Sequence, residues 1–223
     1  MNPPLWHRDY AAYLFDLDGT LIDTVPDIHV ALNVTLTQHA FPEVSLDLTR
    51  HWIGHGAAAL VRESLLHHEK GDPDEDTYLA MVDTFLTYYA SHLSEFSMPY
   101  PGVTETLTAL RARGAKLAVV TNKIAALSEP LLGQMNMSGY FDAIICGDSA
   151  AKPKPAPEPV ELCLTQLGVE AGSALFVGDS GTDVGAAQAA NMAVVCVRDG
   201  YNHGIDVVTL GADGVIDNFR ELL

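Results

Sequence analysis

Residues 11–20 of the chain are AAYLFDLDGT, an apolar run followed at once by two aspartates, a glycine and a threonine. The run 11–15 has the length and composition of a buried strand. Because side chains alternate along an extended segment, Asp16 and Asp18 project to the same side. Gly19 allows a tight turn directly after them. The stretch therefore predicts a strand that ends at two carboxylates, which suits a magnesium ion and a phosphoryl group.

Three later apolar runs also end next to polar residues. The runs, each with the polar residues that follow it, are 117–120 with Thr121, Asn122 and Lys123, 143–146 with Lys152 and Lys154, and 174–177 with Asp179 and Asp183. A further apolar run covers 193–197. Short apolar runs that alternate with helical segments are typical of parallel strands in βαβ units. Parallel strands place their carboxyl ends at one edge, so we expect a doubly wound, mostly parallel α/β sheet of the Rossmann-like type with one site.

Between Asp23 and about Met98 the pattern becomes helical. Apolar residues recur at helical spacing in 26–38, 56–68 and 74–93, and strand-type sequence resumes after Pro99 and Pro101. We interpret this segment as a helical cap inserted after the first strand. The predicted division is a catalytic core of residues 1–23 and 99–223 and a helical cap of residues 24–98.

The chain has 223 residues with 12 basic and 29 acidic side chains, a net charge of −17. This charge argues against nucleic acid and anionic membranes as partners. No apolar run approaches the length that spans a bilayer, and the start of the chain lacks a secretory apolar region. Cys146, Cys163 and Cys196 are widely spaced, which favours reduced buried thiols and a cytoplasmic protein. Oligomeric state is not predicted.

Four segments, in this order, resemble the motifs of the haloacid-dehalogenase-like hydrolase superfamily. They are 16–20, 120–122, 152–153 and 178–183. Asp18 resembles the phosphatases of that superfamily, because its dehalogenases lack the second aspartate. A closer resemblance, to bacterial phosphoglycolate phosphatases, rests on the segments 23–27, 52–56, 100–103, 121–123 and 200–204. Thr24, His55 and His203 occupy places that vary in those motifs. The resemblance implies a magnesium-dependent phosphatase that acts on a small phosphate ester, with 2-phosphoglycolate as the first candidate.

The expected chemistry follows from charge. A phosphate ester and a carboxylate repel each other, so a nucleophilic Asp16 needs a cation nearby, and Mg²⁺ prefers oxygen ligands. Asp16 and Asp179 are the candidate side-chain ligands, and Asp183 is expected to brace the metal's waters. The resemblance adds the backbone carbonyl of Asp18 as a ligand. Asp16 would form an aspartyl phosphate, and Asp18 would act as general acid and then general base.

The remaining candidate residues bind the phosphoryl group or the substrate. Thr121 and Asn122, with loop amides that include Gly19, are expected to hold the phosphoryl oxygens. Of the two nearby lysines, Lys152 is predicted to neutralise the developing charge, because the Lys-Pro pattern begins there. Lys123 and His55 are the other two candidates for substrate binding. For Lys123 an ordinary surface position is an equal alternative. His55 lies between two glycines and is a candidate to line the site when the cap closes.

Two alternatives stay open at this point. One keeps the fold and changes the reaction to a sugar phosphate phosphatase or a phosphoglucomutase-like phosphotransferase. The other is a binding domain controlled by phosphorylation of an aspartate, although Asp16, Asp18 and a helical insertion suit that class poorly. Fold alone does not decide among them.

Overall fold

A strand that covers Ala12–Phe15 is buried along its whole length and lies inside a parallel sheet. The computed structural model describes residues 4–68 and 74–223. In that part of the chain the strands are β1 (Ala12–Phe15), β2 (Ile22–Asp23), β3 (Met98–Pro99), β4 (Lys116–Val120), β5 (Ala143–Ile145), β6 (Ala174–Gly178), β7 (Ala193–Val197) and β8 (Gly214–Ile216). Among the described residues, six of them form a sheet in the order β5-β4-β1-β6-β7-β8, with every neighbouring pair parallel. Because the order reverses at β1, a site is expected at its carboxyl end.

Helices cover both faces of this sheet. They are α5 (Val103–Ala112), α6 (Ala125–Gln134), α7 (Glu158–Leu167) and α8 (Gly181–Ala189). Tyr13 and Phe15 of β1 belong to one buried apolar cluster, and Ala12 and Leu14 belong to a second cluster. This alternation shows that β1 is covered on both sides, as its continuous apolar sequence predicts. The predicted doubly wound α/β fold is confirmed.

Between β2 and β3 the chain is helical. The helices are α1 (Val25–Gln38), α2 (Leu46–Trp52), α3 (Ala57–His68) and α4 (Glu75–Ser91), and α1 and α3 both contact α4. Strands β2 and β3 pair antiparallel, so the two chain segments that enter and leave this region lie side by side. We propose that these helices form the cap, with the division at residues 24 and 98. Residues 1–3 and 69–73, which the predicted division includes, lie outside the described residues.

None of the helices in the described part of the chain combines the length and the apolar composition that crossing a membrane needs.

Candidate active site

Three buried carboxylates meet at the carboxyl ends of β1 and β6. Asp16 directly follows β1, and Asp179 directly follows β6. Asp183 lies in the first turn of α8. One oxygen from each carboxylate lies within 4.8 Å of the others. Neighbouring strands have thus brought together residues that are far apart in sequence, as the strand pattern predicts.

The cation among these carboxylates is Lys154. Its Nζ lies 2.9 Å from Asp16 Oδ1, and it donates hydrogen bonds of 2.7 Å to Asp183 Oδ1 and 2.7 Å to the carbonyl of Val120. Burial alone lowers the pKa of the Lys154 ammonium, but the Asp16 and Asp183 carboxylates outweigh that effect and raise it. Lys154 is therefore charged at neutral pH.

The preference for Lys152 over Lys154 was wrong. The Lys152 side chain is 71% exposed, and its Nζ lies 3.3 Å from Glu158 Oε1. An exposed ion pair of this kind contributes little to stability. Asn122 holds the backbone of Lys154, and of the two lysines it is Lys154 whose side chain is buried among the carboxylates.

One ammonium does not balance three carboxylates. Burial raises the pKa of Asp16 to about 7, although Lys154 acts in the opposite direction. Burial, Asp183 and Asp16 raise the pKa of Asp179 well above its ordinary value. Asp16 Oδ1 is buried and, among the described residues, has no hydrogen bond of regular geometry, because the nearby Lys154 ammonium is directed at its other partners. The negative charge of the cluster therefore exceeds the positive charge of Lys154, which favours the binding of a further cation.

The Asp179 carboxylate is held from two sides. Its Oδ1 accepts a 2.6 Å hydrogen bond from the Thr20 hydroxyl, and its Oδ2 accepts a 2.5 Å bond from the Tyr201 N–H. Gly19 has φ +85°, and a Cβ there would lie 2.6 Å from Asp179 Oδ2. The glycine therefore serves both the turn and the close approach of this carboxylate.

Asp183 orients the start of α8. Its Oδ2 accepts hydrogen bonds from the N–H groups of Asp179 and Ser180 and from the Ser180 hydroxyl, at 3.1, 3.0 and 2.8 Å. Ser180 and Asp183 form a capping box at this helix end. Asp183 thus fixes both the backbone of Asp179 and the ammonium of Lys154.

The second aspartate of the motif, Asp18, has a different partner. Lys123 Nζ donates to both oxygens of Asp18, at 2.8 and 3.0 Å, and the Thr24 hydroxyl donates to Oδ1 at 2.7 Å. Lys123 is buried, which excludes the alternative of an ordinary surface position. Burial alone lowers the pKa of Lys123, but Asp18 outweighs this and raises it.

Two of the predicted phosphoryl contacts have other partners. The Asn122 amide donates to the carbonyls of Gly54 and Lys154, both at 3.0 Å, and its Oδ1 accepts from the Lys154 N–H at 2.9 Å. The Gly19 N–H donates to the Ile22 carbonyl at 2.9 Å. Asn122 thus positions Lys154 and Gly19 shapes the turn, and the contacts of Asn122 and of the loop amides with phosphoryl oxygens stay a prediction.

His55 lies away from the carboxylates. Its exposed side chain stacks on the ring of His203, with the ring centroids 5.1 Å apart. Burial and His203 both lower its pKa. The residues that face the site from this loop are its neighbours Gly54 and Gly56, so His55 does not line the site in this conformation.

A cavity of about 60 Å³ joins the nucleophile candidate to the helical region. Asp16, Asp18, Thr121, Asn122 and Lys123 line it from the sheet side. The residues that line it from the helical region are Ile28, Ile53, Gly54, Gly56, Ala57, Leu60, Phe85 and Tyr89. The structure thus gathers five of the predicted site residues around one space.

The sequence indicated no role for Tyr201, which joins the acidic cluster to the start of α1. Its N–H contacts Asp179, and its hydroxyl accepts from the N–H groups of Thr24 and Val25 at 2.8 and 2.9 Å. The same hydroxyl donates to Asp23 Oδ1 at 2.5 Å. These contacts span almost the whole sequence, so no local pattern signals them.

We expect Tyr201→Phe to lower the free energy of unfolding by about 2–3 kcal/mol, because it leaves buried backbone donors at the start of α1 without an acceptor. Urea denaturation measures the change. Tyr140→Phe is the matched control, since its hydroxyl accepts only an exposed 3.2 Å bond from Thr108, and it is expected to stay within about 0.5 kcal/mol of the parent. Equal stability of the Tyr201 and Tyr140 variants would contradict the assigned contacts.

The buried carboxylates and the lysine lie at the switch point of the parallel α/β sheet, where sheets of this kind bind their ligands. The family of haloacid dehalogenase-like hydrolases matches residues 13–197. The chain belongs to this family, and it is a phosphatase.

Individual relatives agree with this assignment. The phosphoglycolate phosphatase of Nitrosococcus oceani is 38% identical over 209 residues, which cover 94% of this chain and 93% of the relative. The crystal structure of a predicted phosphoglycolate phosphatase from Haemophilus somnus 129pt has a TM-score of 0.92 and 34% identity, covering 96% of this chain and 97% of that one. CbbY from Rhodobacter sphaeroides, in complex with xylulose-(1,5)bisphosphate, has a TM-score of 0.80 and 25% identity, covering 95% and 96%.

Proposed function

We propose that this phosphatase is magnesium-dependent, that it hydrolyses a small phosphate monoester through an aspartyl phosphate on Asp16, and that 2-phosphoglycolate is its substrate. The observation that carries the proposal is the buried cluster of Asp16, Asp179 and Asp183 beside one lysine, in which Asp16 also lines a small cavity. We also propose a cytoplasmic location, which the three buried free cysteines support.

The donor set fits a divalent metal ion. Three carboxylates that face one ammonium, with one buried oxygen short of a regular hydrogen bond, favour an added cation. All the free ligand atoms are oxygens, which suit Mg²⁺. Asp16 and Asp179 would hold the ion with their side chains, and the family resemblance adds the carbonyl of Asp18. When bound, the ion would offset the negative charge of the phosphoryl oxygens.

The chain's own residues would carry the chemical steps. An Asp16 oxygen attacks phosphorus, the bond to the ester oxygen breaks, and Asp18 gives a proton to the departing alkoxide. A water molecule then attacks the aspartyl phosphate while Asp18 takes a proton from it, which releases phosphate and restores Asp16. Lys154 stabilises charge on the phosphoryl oxygens, and Thr121 lines the cavity next to Asp16.

The cavity supports a small leaving group. Its volume of about 60 Å³ corresponds to about four to six water-sized positions, which favours a leaving group of a few atoms. The relatives named phosphoglycolate phosphatase support the same choice. A sugar phosphate phosphatase or a phosphoglucomutase-like phosphotransferase is the second candidate, favoured by the bound sugar bisphosphate in the structure of CbbY.

The experiment that tests the proposal measures phosphate release from 2-phosphoglycolate, ethyl phosphate and glucose 6-phosphate, each with magnesium and with a chelator. We expect turnover only with magnesium and the highest kcat/KM for 2-phosphoglycolate. A preference for glucose 6-phosphate would contradict 2-phosphoglycolate as the substrate but agree with the proposed hydrolysis of a phosphate monoester. Full activity in the chelator would contradict the metal dependence, and a requirement for a sugar bisphosphate without net phosphate release would indicate the phosphotransferase.

A further inference from the structure

Tyr89 lines the cavity, and its buried hydroxyl makes no hydrogen bond of regular geometry in the described part of the chain, although the Lys123 ammonium lies close to it. Tyr89 lies near the end of α4 and is only 1% exposed. Leaving a buried hydroxyl without a partner is unfavourable, so such groups are rare. A hydroxyl in this position, on a residue that lines the cavity, is available to a ligand.

A positive charge lies next to this hydroxyl. Lys123 Nζ is 4.7 Å from the centroid of the Tyr89 ring and also contacts Asp18. Burial raises the pKa of Tyr89 to about 12, even though Lys123 lowers it. The phenol therefore keeps its proton at neutral pH and acts as a donor, and both groups favour an anion.

The rest of the wall on this side is apolar. Ile28, Ile53, Leu60 and Phe85 come from the helical region, and Leu127 comes from α6. These side chains offer no hydrogen bond, so an anionic group that enters the cavity has its favourable contacts at Tyr89 and Lys123.

The contacts between these residues also indicate how a leaving group is oriented in the cavity. Asp18, the proposed acid for the ester oxygen, contacts Lys123, and Lys123 contacts Tyr89. A leaving group that starts at Asp18 therefore extends past Lys123 towards Tyr89. We propose that Tyr89, assisted by Lys123, binds a carboxylate at the far end of the leaving group and so selects short phosphate esters that carry a second anionic group. This inference rests on the proposed function and adds the residue that determines its specificity.

The test compares Tyr89→Phe with the parent enzyme on 2-phosphoglycolate and on ethyl phosphate, which has a leaving group with two carbons and no carboxylate. We expect KM for 2-phosphoglycolate to rise about tenfold to a hundredfold, the range expected for one hydrogen bond to a charged group, with kcat within about threefold. For ethyl phosphate, kcat/KM is expected to stay within about twofold. The thermal midpoint without ligand is expected not to fall, because the lost hydroxyl makes no hydrogen bond of regular geometry in the described part of the chain.

Tyr88→Phe is the matched control, since the neighbouring Tyr88 ring stacks on His92, with centroids 4.1 Å apart, instead of lining the cavity. It is expected to leave both substrates unaffected. An unchanged KM in Tyr89→Phe, or an equal loss on both esters, would overturn the inference. A parent enzyme that hydrolyses both esters equally well would also overturn the inference, although the assignment as a phosphatase would still stand.

A parent enzyme that hydrolyses neither ester would contradict the proposed function separately. In that case calorimetric titration of both proteins with 2-phosphoglycolate decides the role of Tyr89. Weaker binding to Tyr89→Phe supports the subsite, and equal binding or no binding to either protein overturns it.

Discussion

Asp16→Asn is expected to lower kcat by about ten-thousandfold or more, because an amide cannot form the acyl phosphate that carries the reaction. The substitution keeps the shape of the side chain and removes one of the charges that burial and Asp183 make unfavourable. The variant should therefore fold with a thermal midpoint, measured without metal, no lower than that of the parent. Phosphate release from 2-phosphoglycolate in the presence of magnesium measures the loss of activity.

Asp142→Asn is the matched control for this substitution. Asp142 precedes β5 and accepts a 2.9 Å hydrogen bond from the Leu117 N–H, at the edge of the sheet opposite the carboxylate cluster. Its replacement is expected to leave kcat within about twofold of the parent, since it lies outside the site. Activity of Asp16→Asn close to that of the control would remove Asp16 as the nucleophile.

Lys154→Met is the substitution with the second largest expected effect. It leaves the buried Asp16 and Asp183 carboxylates without their ammonium, and removing one partner of a buried ion pair destabilises a protein by about 3–5 kcal/mol. It also removes the positive charge proposed to act on the phosphoryl oxygens, so kcat is expected to fall by at least about a hundredfold. Urea denaturation and phosphate release measure the two effects.

Lys152→Met separates the two lysines. The Lys152 side chain is exposed and makes only a surface ion pair, so stability is expected to change by less than about 1 kcal/mol. Its kcat should stay within about twofold of the parent. A loss of activity in this variant as large as that in Lys154→Met would restore the original preference for Lys152 and contradict the geometry.

The strands of the sheet were predictable because their signals are local. The runs 117–120, 174–177 and 193–197 correspond to β4, β6 and β7 within one residue at either end. Buried parallel strands must be apolar throughout, which distinguishes them from amphipathic helices. Helix α2 and the pairing of β2 with β3 were missed, because two-residue strands and a seven-residue helix are too short for a periodic pattern.

The acidic part of the site was also predictable, since Asp16 and Asp179 directly follow strands whose carboxyl ends share an edge. The choice between Lys152 and Lys154 was not, because both lysines precede a proline and the decision depends on Asn122, about thirty residues away, which holds the Lys154 backbone. Tyr201 was missed for a similar reason. Its contacts with Asp179 and Thr24 exist only after the sheet and the helical region have come together.

The role proposed for Tyr89 was also not predictable from the sequence. At its place in α4, an aromatic residue at helical spacing is typical of a helix core, and the ring is indeed buried there. Only its hydroxyl, which makes no hydrogen bond of regular geometry among the described residues and lies beside Lys123, distinguishes it from packing residues such as Phe85. A functional role of this kind depends on the position of one atom, which a pattern of residue types does not contain.

The most direct test of the central claim is to locate the phosphoryl group during turnover. The parent enzyme and Asp16→Asn would be mixed with 2-phosphoglycolate and magnesium, quenched in acid within milliseconds, digested and mapped by mass spectrometry. We predict one phosphoryl group on the peptide that contains Asp16 in the parent enzyme, and none in Asp16→Asn. A phosphoryl group on a different residue, or full turnover by a parent enzyme that never carries one, would contradict the account.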